Sequence, residues 1–289
     1  MKETRKKSMD ALIRKARAMN LDPLNYIREI FQKLIIYAVA HLEVEDFYVL
    51  QGGTALRLFY GSPRTSLDLD FTLVKRSLRD SERDSKEIMN LLERLLAPYN
   101  VKVSITGAKL SVKEDFYRFF FVFDTLSWLE KKIKVKIEVI RRVYRDVSFN
   151  RTIAVVEFPF STSVGTLTKF PSQLLADKVT SLAGGYHRGY IRWRDVFDVY
   201  WLTQRLKAEL DFSYLIQEFG TFIEKPKDLV SLTNELKSIL SEKKLSEAKK
   251  ELEKLLHKSL LEDTLVEEYL QATINILEKA STVICNETS

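Results

Sequence analysis

The chain has 289 residues, of which 45% are hydrophobic and 30% are charged. These proportions are typical of a globular protein with a sizeable core, and no segment has a low-complexity composition. The single cysteine excludes both an internal disulfide and a zinc site made of cysteines. A formal charge of +6 favours a polyanionic partner, either a nucleic acid or an acidic protein.

Membrane association is not predicted. The longest apolar runs, residues 34–40 and 119–123, are too short to span a bilayer. The first seven residues are mostly charged, and no apolar signal region follows them. We therefore expect a cytoplasmic protein without a membrane partner.

The pattern of apolar residues predicts an α+β protein in two parts. Residues 1–45 show helical spacing, and residues 46–160 alternate strands with helices. The predicted strands are 47–51, 67–74, 101–105, 116–124, 132–140 and 153–157, with a helix at 83–97. From about residue 161 the chain is predicted to be helical, with one amphipathic helix across 234–261. The predicted domains are residues 1–160 and residues 161–289.

The turn after the first strand has the composition of a phosphate-binding loop. Gly52 and Gly53 lie between a predicted buried strand and a helix predicted to start at Thr54. Glycines let a phosphate approach the backbone, and a helix N-terminus offers free N–H groups and partial positive charge. The Thr54 hydroxyl is expected either to cap the helix or to contact the phosphate. For a Gly-Gly-Thr sequence taken by itself, a plain tight turn is the simpler interpretation.

Two carboxylates follow on the next predicted strand. Residues two apart on a strand face the same side, so Asp68 and Asp70 are predicted to project together. Leu67, Leu69 and Phe71 are then predicted to point into the core. Paired carboxylates favour a hard divalent cation such as Mg2+ or Mn2+. An exposed strand face with incidental acids is the alternative, but the glycine turn, one helix and the two aspartates together in one short unit favour a metal site.

A third acid, Glu138, lies on the strongly alternating strand predicted at 132–140. Apolar residues occupy one face of this strand, and Lys134, Lys136 and Glu138 occupy the other. Glu138 is expected either to bind metal beside the two aspartates or to act as base for an incoming hydroxyl. A surface ion-pair ladder with the neighbouring lysines is the alternative.

The first helices of the C-terminal part carry a lysine and a pair of aspartates. Lys178 lies on the flank of a helix predicted around 174–182, where it is expected to neutralise charge on a triphosphate. This helix is predicted to end at the second Gly-Gly pair, residues 184–185. Asp195 is expected either to cap the following helix or to orient Lys178 or Arg194, whereas Asp198 is expected to be structural.

Basic and aromatic residues alternate between these two helices, in residues 186–194. Such a segment is suited to holding a base or a nucleic acid backbone. Arg188, Arg192 and Arg194 are therefore the predicted RNA contacts.

The motifs together resemble the AbiEii/AbiGii nucleotidyltransferase toxins of abortive-infection systems, within the DNA polymerase β-like superfamily. The resemblance covers about residues 30–205. It rests on Gly52-Gly53-Thr54-Ala55-Leu56-Arg57, Arg64-x-Ser66-x-Asp68-x-Asp70-Phe71, Lys136-Ile137-Glu138-Val139, Leu175-Ala176-Asp177-Lys178-Val179 and Arg194-Asp195-Val196-Phe197-Asp198. The resemblance implies a polymerase β-like mixed sheet with flanking helices and a helical C-terminal region that contributes Lys178 and Asp195 to the site.

The activity implied by this resemblance is transfer of a nucleoside monophosphate from a nucleoside triphosphate (NTP) to an acceptor, with Mg2+ or Mn2+. The implied catalytic residues are Asp68, Asp70, Glu138, Lys178 and Asp195, and the first three of these would bind the metal. The implied nucleotide-binding residues are Gly52, Gly53, Thr54, Arg64, Ser66 and Lys178. The implied acceptor is tRNA or another RNA, and the implied partner is a protein antitoxin. A small-molecule nucleotidyltransferase and a non-catalytic binding protein on the same fold remain the alternatives.

Overall fold

The computed structural model of the chain describes residues 2–19, 21–113, 115–141, 147–222, 227–242 and 245–288. The chain forms two units, which we call the sheet unit and the helical unit. The sheet unit consists of Met1–Phe59, Thr65–Val143 and Phe149–Thr168, and the helical unit of Tyr60–Arg64, Tyr144–Ser148 and Lys169–Ser289. The domain boundary that we placed at residues 160 and 161 stays a prediction.

Seven strands among the described residues form one mixed sheet in the order β3-β4-β5-β2-β1-β7-β6. The strands are β1 (Tyr48–Gln51), β2 (Asp68–Leu73), β3 (Lys102–Ser111), β4 (Phe116–Asp124), β5 (Lys132–Arg141), β6 (Phe149–Val156) and β7 (Thr162–Lys169). Strand β2 runs antiparallel to β1 and parallel to β5, and β1 runs parallel to β7. The predicted α+β class with a mixed sheet is therefore confirmed.

Five α-helices of the sheet unit lie within the described residues, and two of them begin at side-chain caps. They are α1 (Lys2–Ala18), α2 (Pro23–His41), α3 (Gly52–Phe59), α4 (Leu78–Leu96) and the single turn α5 (Leu126–Leu129). Asp22 accepts a hydrogen bond from the Asn25 N–H at the start of α2. Ser77 and Asp80 form a reciprocal capping box at the start of α4, which therefore begins before the predicted residue 83.

The core of the sheet unit lies between the sheet and the helices α2 and α4. Phe31 of α2 stacks on Phe123 of β4 with ring centroids 4.1 Å apart. Leu69 and Phe71 of β2 are buried, as predicted. The prediction for Leu67 is wrong, because this residue precedes β2 and its side chain is 40% exposed. Strand alternation therefore starts at Asp68.

The helical unit contains α6 (Pro171–His187), α7 (Trp193–Tyr200), α8 (Phe212–Phe222), α9 (Lys227–Ser241), α10 (Ser246–Leu252) and α11 (Asp263–Thr288). A π-helical turn, Trp201–Arg205, follows α7 directly. The helical prediction from residue 161 is wrong for β7, whose threonines and valine favour a strand and which pairs with β1. The helix predicted across 234–261 is interrupted after Ser241, although Ala248 and Leu252 are buried as its apolar stripe requires.

The second Gly-Gly pair lies inside α6 and does not end it. The helix continues to His187, and Gly189 follows with a positive φ of 83°. Gly185 has a packing role, because a Cβ on this residue would lie 2.7 Å from Cγ of Arg192. The predicted helix end at residues 184–185 is therefore wrong, and the absence of a side chain there lets the next loop lie against the helix.

Candidate active site

The glycine turn of the sheet unit lies directly against the acidic strand β2. Gly52 starts α3 with a φ of 72°, a conformation that L-residues with side chains rarely adopt. A Cβ on Gly52 would lie 2.5 Å from Oδ2 of Asp70. The Thr54 hydroxyl donates to the Asp68 carbonyl and so joins α3 to the start of β2. The helix N-terminus and the two aspartates are thus held together by short contacts.

The three predicted acids lie on neighbouring strands of the sheet unit. Asp68 and Asp70 are half-buried on one face of β2. In the parallel β2–β5 pair, Asp70 is opposite Glu138 and Asp68 is opposite Lys136. Since residues opposite each other in a ladder share a face, these four side chains form one cluster, which we call the acid cluster.

Lys136 is the cation of the acid cluster. Its Nζ lies 3.5 Å from Oδ2 of Asp68 and 3.3 Å from Oε2 of Glu138. Burial alone would lower the pKa of Lys136, but the charges of Asp68, Glu138 and Asp70 raise it above its ordinary value. The surplus of negative charge in this cluster therefore favours a bound cation.

The donor set of the acid cluster fits a divalent metal held by two carboxylates. Among the described residues, no group of three acidic, histidine or cysteine side chains is arranged to hold a metal ion. Glu138 is instead paired with Lys136, and its Oε2 lies 3.9 Å from a guanidinium nitrogen of Arg118. Mg2+ in phosphoryl-transfer sites commonly takes one or two carboxylates and completes its shell with substrate phosphates and water. Asp68 and Asp70 meet that requirement.

The helical unit contains a buried chain of alternating charges, which we call the buried ion cluster. Lys178 Nζ lies 2.9 Å from Oδ1 of Asp195 and 2.8 Å from Oδ2 of Asp198. Arg64 donates from two nitrogens to Asp198, at 2.7 and 2.9 Å, and Arg192 Nε lies 2.5 Å from Asp195. Both aspartates are completely buried. Each carboxylate thus lies between two cations.

The neighbouring charges favour the ionised forms of Asp195, Asp198 and Lys178 in the buried ion cluster. Burial alone would raise the pKa of Asp195, but Lys178 and Arg192 hold it well below its ordinary value. Burial would likewise raise the pKa of Asp198, and Arg64 and Lys178 lower it. Burial would lower the pKa of Lys178, whereas the two aspartates raise it. Lys178 is therefore cationic despite being almost completely buried.

The buried ion cluster bears on several of the sequence predictions. Asp195 contacts Lys178, which agrees with the expectation that it orients this lysine. The other expectation, a helix cap, is wrong, because α7 has no side-chain cap and Asp195 accepts from Arg192 and Ser181. The guanidinium of Arg64 pairs with Asp198, and the role of Arg64 in nucleotide binding stays a prediction.

The three arginines predicted to contact RNA differ in their surroundings. Arg192 belongs to the buried ion cluster and packs on Gly185. Arg188 is exposed and lies over the Tyr190 ring, with its Cζ 5.6 Å from the ring centroid. Arg194 is exposed on the first turn of α7. Arg188 and Arg194 are thus accessible to a ligand, whereas Arg192 is mostly occupied within the protein.

The sequence analysis did not identify Arg118, and it treated Lys136 only as a neighbour of Glu138. Arg118 is opposite Glu138 in the β4–β5 ladder, a pairing that no local pattern indicates. The alternation of strand 132–140 placed Lys136 beside Glu138 but did not show that it also reaches Asp68. Ser66, predicted to bind nucleotide, is half-buried just before β2, where its carbonyl accepts from Gln32.

The sequence matches a known protein family over most of its length. Residues 34–272 match the family described as the nucleotidyl transferase AbiEii toxin of type IV toxin–antitoxin systems. The chain belongs to this AbiEii family. Membership confirms the family resemblance of the motifs and the predicted enzyme class, so the chain is a toxin-type nucleotidyltransferase. It also implies an NTP substrate and an antitoxin partner, and AbiEii-type nucleotidyltransferases generally use a divalent metal.

Solved structures agree with the AbiEii fold. A search of curated proteins found no match. JHP933 from Helicobacter pylori is 17% identical, with a TM-score of 0.55 over 93% of this chain and 96% of its own. A candidate nucleotidyltransferase from H. pylori is 18% identical, with a TM-score of 0.53 over 91% and 98%. MenT4, a nucleotidyltransferase toxin from Mycobacterium tuberculosis H37Rv, is 12% identical, with a TM-score of 0.50 over 96% and 98%.

These likenesses confirm the predicted nucleotidyltransferase fold, with a mixed sheet, flanking helices and a helical C-terminal region. Among the described residues, none of the helices combines the length and the apolar character that crossing a bilayer requires.

Proposed function

We propose that this AbiEii-family enzyme transfers a nucleoside monophosphate from an NTP to a hydroxyl of tRNA or another RNA. The observation that carries the proposal is the contact between the Gly52 turn and Asp70. This contact brings a helix N-terminus, suited to a triphosphate, next to two carboxylates suited to Mg2+ or Mn2+. In the transfer, the acceptor oxygen bonds to the α-phosphorus, the bond from that phosphorus to the bridging oxygen breaks, and pyrophosphate leaves.

The residues of the sheet unit divide this work. The N–H groups at Gly52 and Gly53 would bind the phosphates, while Thr54 holds α3 against β2. Asp68 and Asp70 would hold the divalent metal, which supplies charge stabilisation for the phosphates when bound. Glu138 would accept the proton of the attacking hydroxyl. Lys136 orients Glu138 and Asp68 through its two ion pairs.

The helical unit is proposed to contribute through Lys178 and Asp195, as the resemblance implies. Support comes from the buried ion cluster, which keeps Lys178 cationic and fixes its position. Arg64 and Ser66 are kept as proposed nucleotide contacts, and Arg188 and Arg194 as proposed RNA contacts. Because NTPs and tRNA are cytoplasmic, we propose that the enzyme acts in the cytoplasm.

The function is tested by incubation of the protein with each NTP labelled at the α-phosphate, with Mg2+ or Mn2+, and with total cellular RNA. A gel then separates labelled RNA, labelled protein and small products. We expect label in an RNA band of tRNA size, and we expect none with Asp70→Asn. The matched control is Asp263→Asn, which removes an exposed carboxylate of the helical unit and should keep full transfer.

Each other outcome of this experiment selects a rival. Label in small products alone would favour a small-molecule nucleotidyltransferase. Absence of label with every NTP, metal and RNA would favour a binding protein. Equal transfer by wild type and Asp70→Asn would overturn the assignment of the acid cluster.

A further inference from the structure

The face of the sheet that carries the acid cluster on β2 and β5 continues across two more strands of the sheet unit, β4 and β3. Asp70 is opposite Glu138 of β5, Glu138 is opposite Arg118 of β4, and Arg118 is opposite Lys109 of β3. This row spans three strand spacings, about 14 Å. The neighbouring row runs from Asp68 through Lys136 and Phe120 to Thr106. Helices α2 and α4 pack on the opposite face, where Phe31 stacks on Phe123.

This face is basic. Its charged residues outside the acid cluster are Lys102, Lys109, Arg118, Lys132, Lys134 and Asp124, so that cations outnumber anions. Lys132 is paired with Asp124 at 3.3 Å. Lys102, Lys109 and Lys134 are exposed, and none has an acidic partner within the part of the chain that the structure describes. The surplus of positive charge suits a polyanion that approaches the acid cluster along the sheet.

Aromatic rings lie between these cations. Phe116 and Phe120 are half-buried on the same face of β4. Lys109 Nζ lies 5.2 Å from the centroid of Phe116, and Arg118 Cζ lies 5.6 Å from it. Gly107, at a bulge in β3, lies against Phe120, and a Cβ there would be 3.2 Å from the ring. A basic surface with half-exposed aromatic rings is the usual composition of sites that bind single-stranded nucleic acid.

We propose that this basic face of β3, β4 and β5 binds single-stranded RNA and directs the end of the acceptor to the acid cluster. The proposal rests on the proposed function in taking RNA as the acceptor. Lys109 and Lys134 would contact phosphates, and Phe120 would stack on a base beside Lys136. The rows of this face are in register with Asp68 and Glu138, so a ligand bound along them reaches these carboxylates. An RNA acceptor must reach them to react, whereas an acidic protein need not, and we therefore choose RNA.

The test measures the binding of a fluorescent single-stranded RNA of about 12 nucleotides by anisotropy, without NTP and with EDTA. The double variant Lys109→Gln with Lys134→Gln should bind at least about tenfold more weakly at about 0.1 M salt. A plot of log affinity against log salt concentration should have a slope that is shallower by about 1.4 for this variant. Each phosphate contact on a single strand contributes roughly 0.7 to that slope, and the variant loses two contacts. Phe120→Leu should weaken binding several-fold and leave the salt slope unchanged.

The matched control is Lys86→Gln with Lys254→Gln, which removes two exposed lysines, one on α4 and one in the helical unit, that are not residues of this face. It should bind RNA as the wild type does. Unchanged binding by the first double variant, or an equal loss in the control, would overturn the proposal. If the pair Arg188→Ala and Arg194→Ala alone weakened binding, the acceptor would be held by the loop between α6 and α7.

This test also separates the surface from the chemistry. Asp70→Asn should bind RNA normally while transferring no nucleotide. Transfer that fails in every assay, with RNA binding that still depends on Lys109 and Lys134, would overturn the proposed function and leave the RNA surface standing.

Discussion

Gly52 has no room for a side chain, because a Cβ there would lie 2.5 Å from the carboxylate oxygen Oδ2 of Asp70. Its φ of 72° adds a second constraint, since non-glycine residues are strained in that region. The turn and the aspartate therefore fix each other's position.

Gly52→Ala should displace Asp70 and lower the rate of nucleotide transfer by at least about tenfold. An alanine in the left-handed region of φ costs about 1–2 kcal/mol, and the clash with Asp70 adds to this. The free energy of unfolding should therefore fall by more than that amount. Gly61→Ala is the control, because Gly61 has a similar φ of 68° but its Cβ would only touch Trp201 at 4.0 Å. Equal transfer by the two variants would show that the contact with Asp70 does not position it.

Lys178→Met should unfold more easily than the wild type, because Asp195 and Asp198 then each lose a cation while completely buried. We expect the free energy of unfolding, measured in urea, to fall by about 3–5 kcal/mol. Lys254→Met breaks a surface pair with Glu251 and should cost less than about 1 kcal/mol. The rate of nucleotide transfer per folded molecule of Lys178→Met shows whether Lys178 also takes part in the reaction. An unchanged rate would mean that Lys178 has only a structural role.

The buried ion cluster predicts a specific dependence of stability on pH. The pKa values of Asp195 and Asp198 are lower in the folded chain than their ordinary value of 3.8. Their stabilisation is therefore present above about pH 4, and it is lost as the pH falls towards the folded pKa values. The difference in unfolding free energy between wild type and Asp198→Asn should be constant from about pH 5 to 8 and shrink at pH 3. A constant difference down to pH 3 would contradict the lowered pKa of Asp198.

Arg192 and Arg194 are two arginines of one segment whose removal should change stability by very different amounts. Arg192→Ala removes a charged hydrogen bond to Asp195, so the free energy of unfolding should fall by about 2 kcal/mol. Arg194→Ala removes an exposed side chain and should change it by less than about 0.5 kcal/mol. Thermal unfolding of the two purified variants makes the comparison. A smaller change for Arg192 than for Arg194 would argue against the buried ion cluster.

Expression in a bacterial host tests the toxin activity. The wild-type chain should slow growth, because an enzyme without its antitoxin keeps modifying its target. Asp68→Asn should not slow growth at equal protein level, and growth curves with immunoblots measure both. Harmless expression of a wild type that is active on RNA in vitro would argue against toxicity in that host.

The sequence predicted the parts of the site that are local. The glycine turn, the two aspartates and the strand of Glu138 each have a periodic or compositional signal within a few residues. The pairing of strands does not, so neither the position of Glu138 opposite Asp70 nor Arg118 beside it could be derived. The ion pair of Arg64 with Asp198 joins two distant segments and is equally invisible to local patterns. The wrong prediction for the Gly184–Gly185 pair has the same cause. Gly185 is needed because the Arg192 side chain packs against it, and the sequence of the helix itself does not reveal that contact.

The order of strands in the sheet also predicts when a nascent chain can complete the candidate site. Strand β1, which leads into the glycine turn, is completed on one side by β2 and on the other by β7, with Val49 opposite Leu167. β2 in turn pairs with β5, far along the chain. During synthesis from the N-terminus, the turn and the aspartates therefore leave the ribosome long before the strands that hold them. Nascent chains and fragments that end before β7 should be harmless to the cell that makes them.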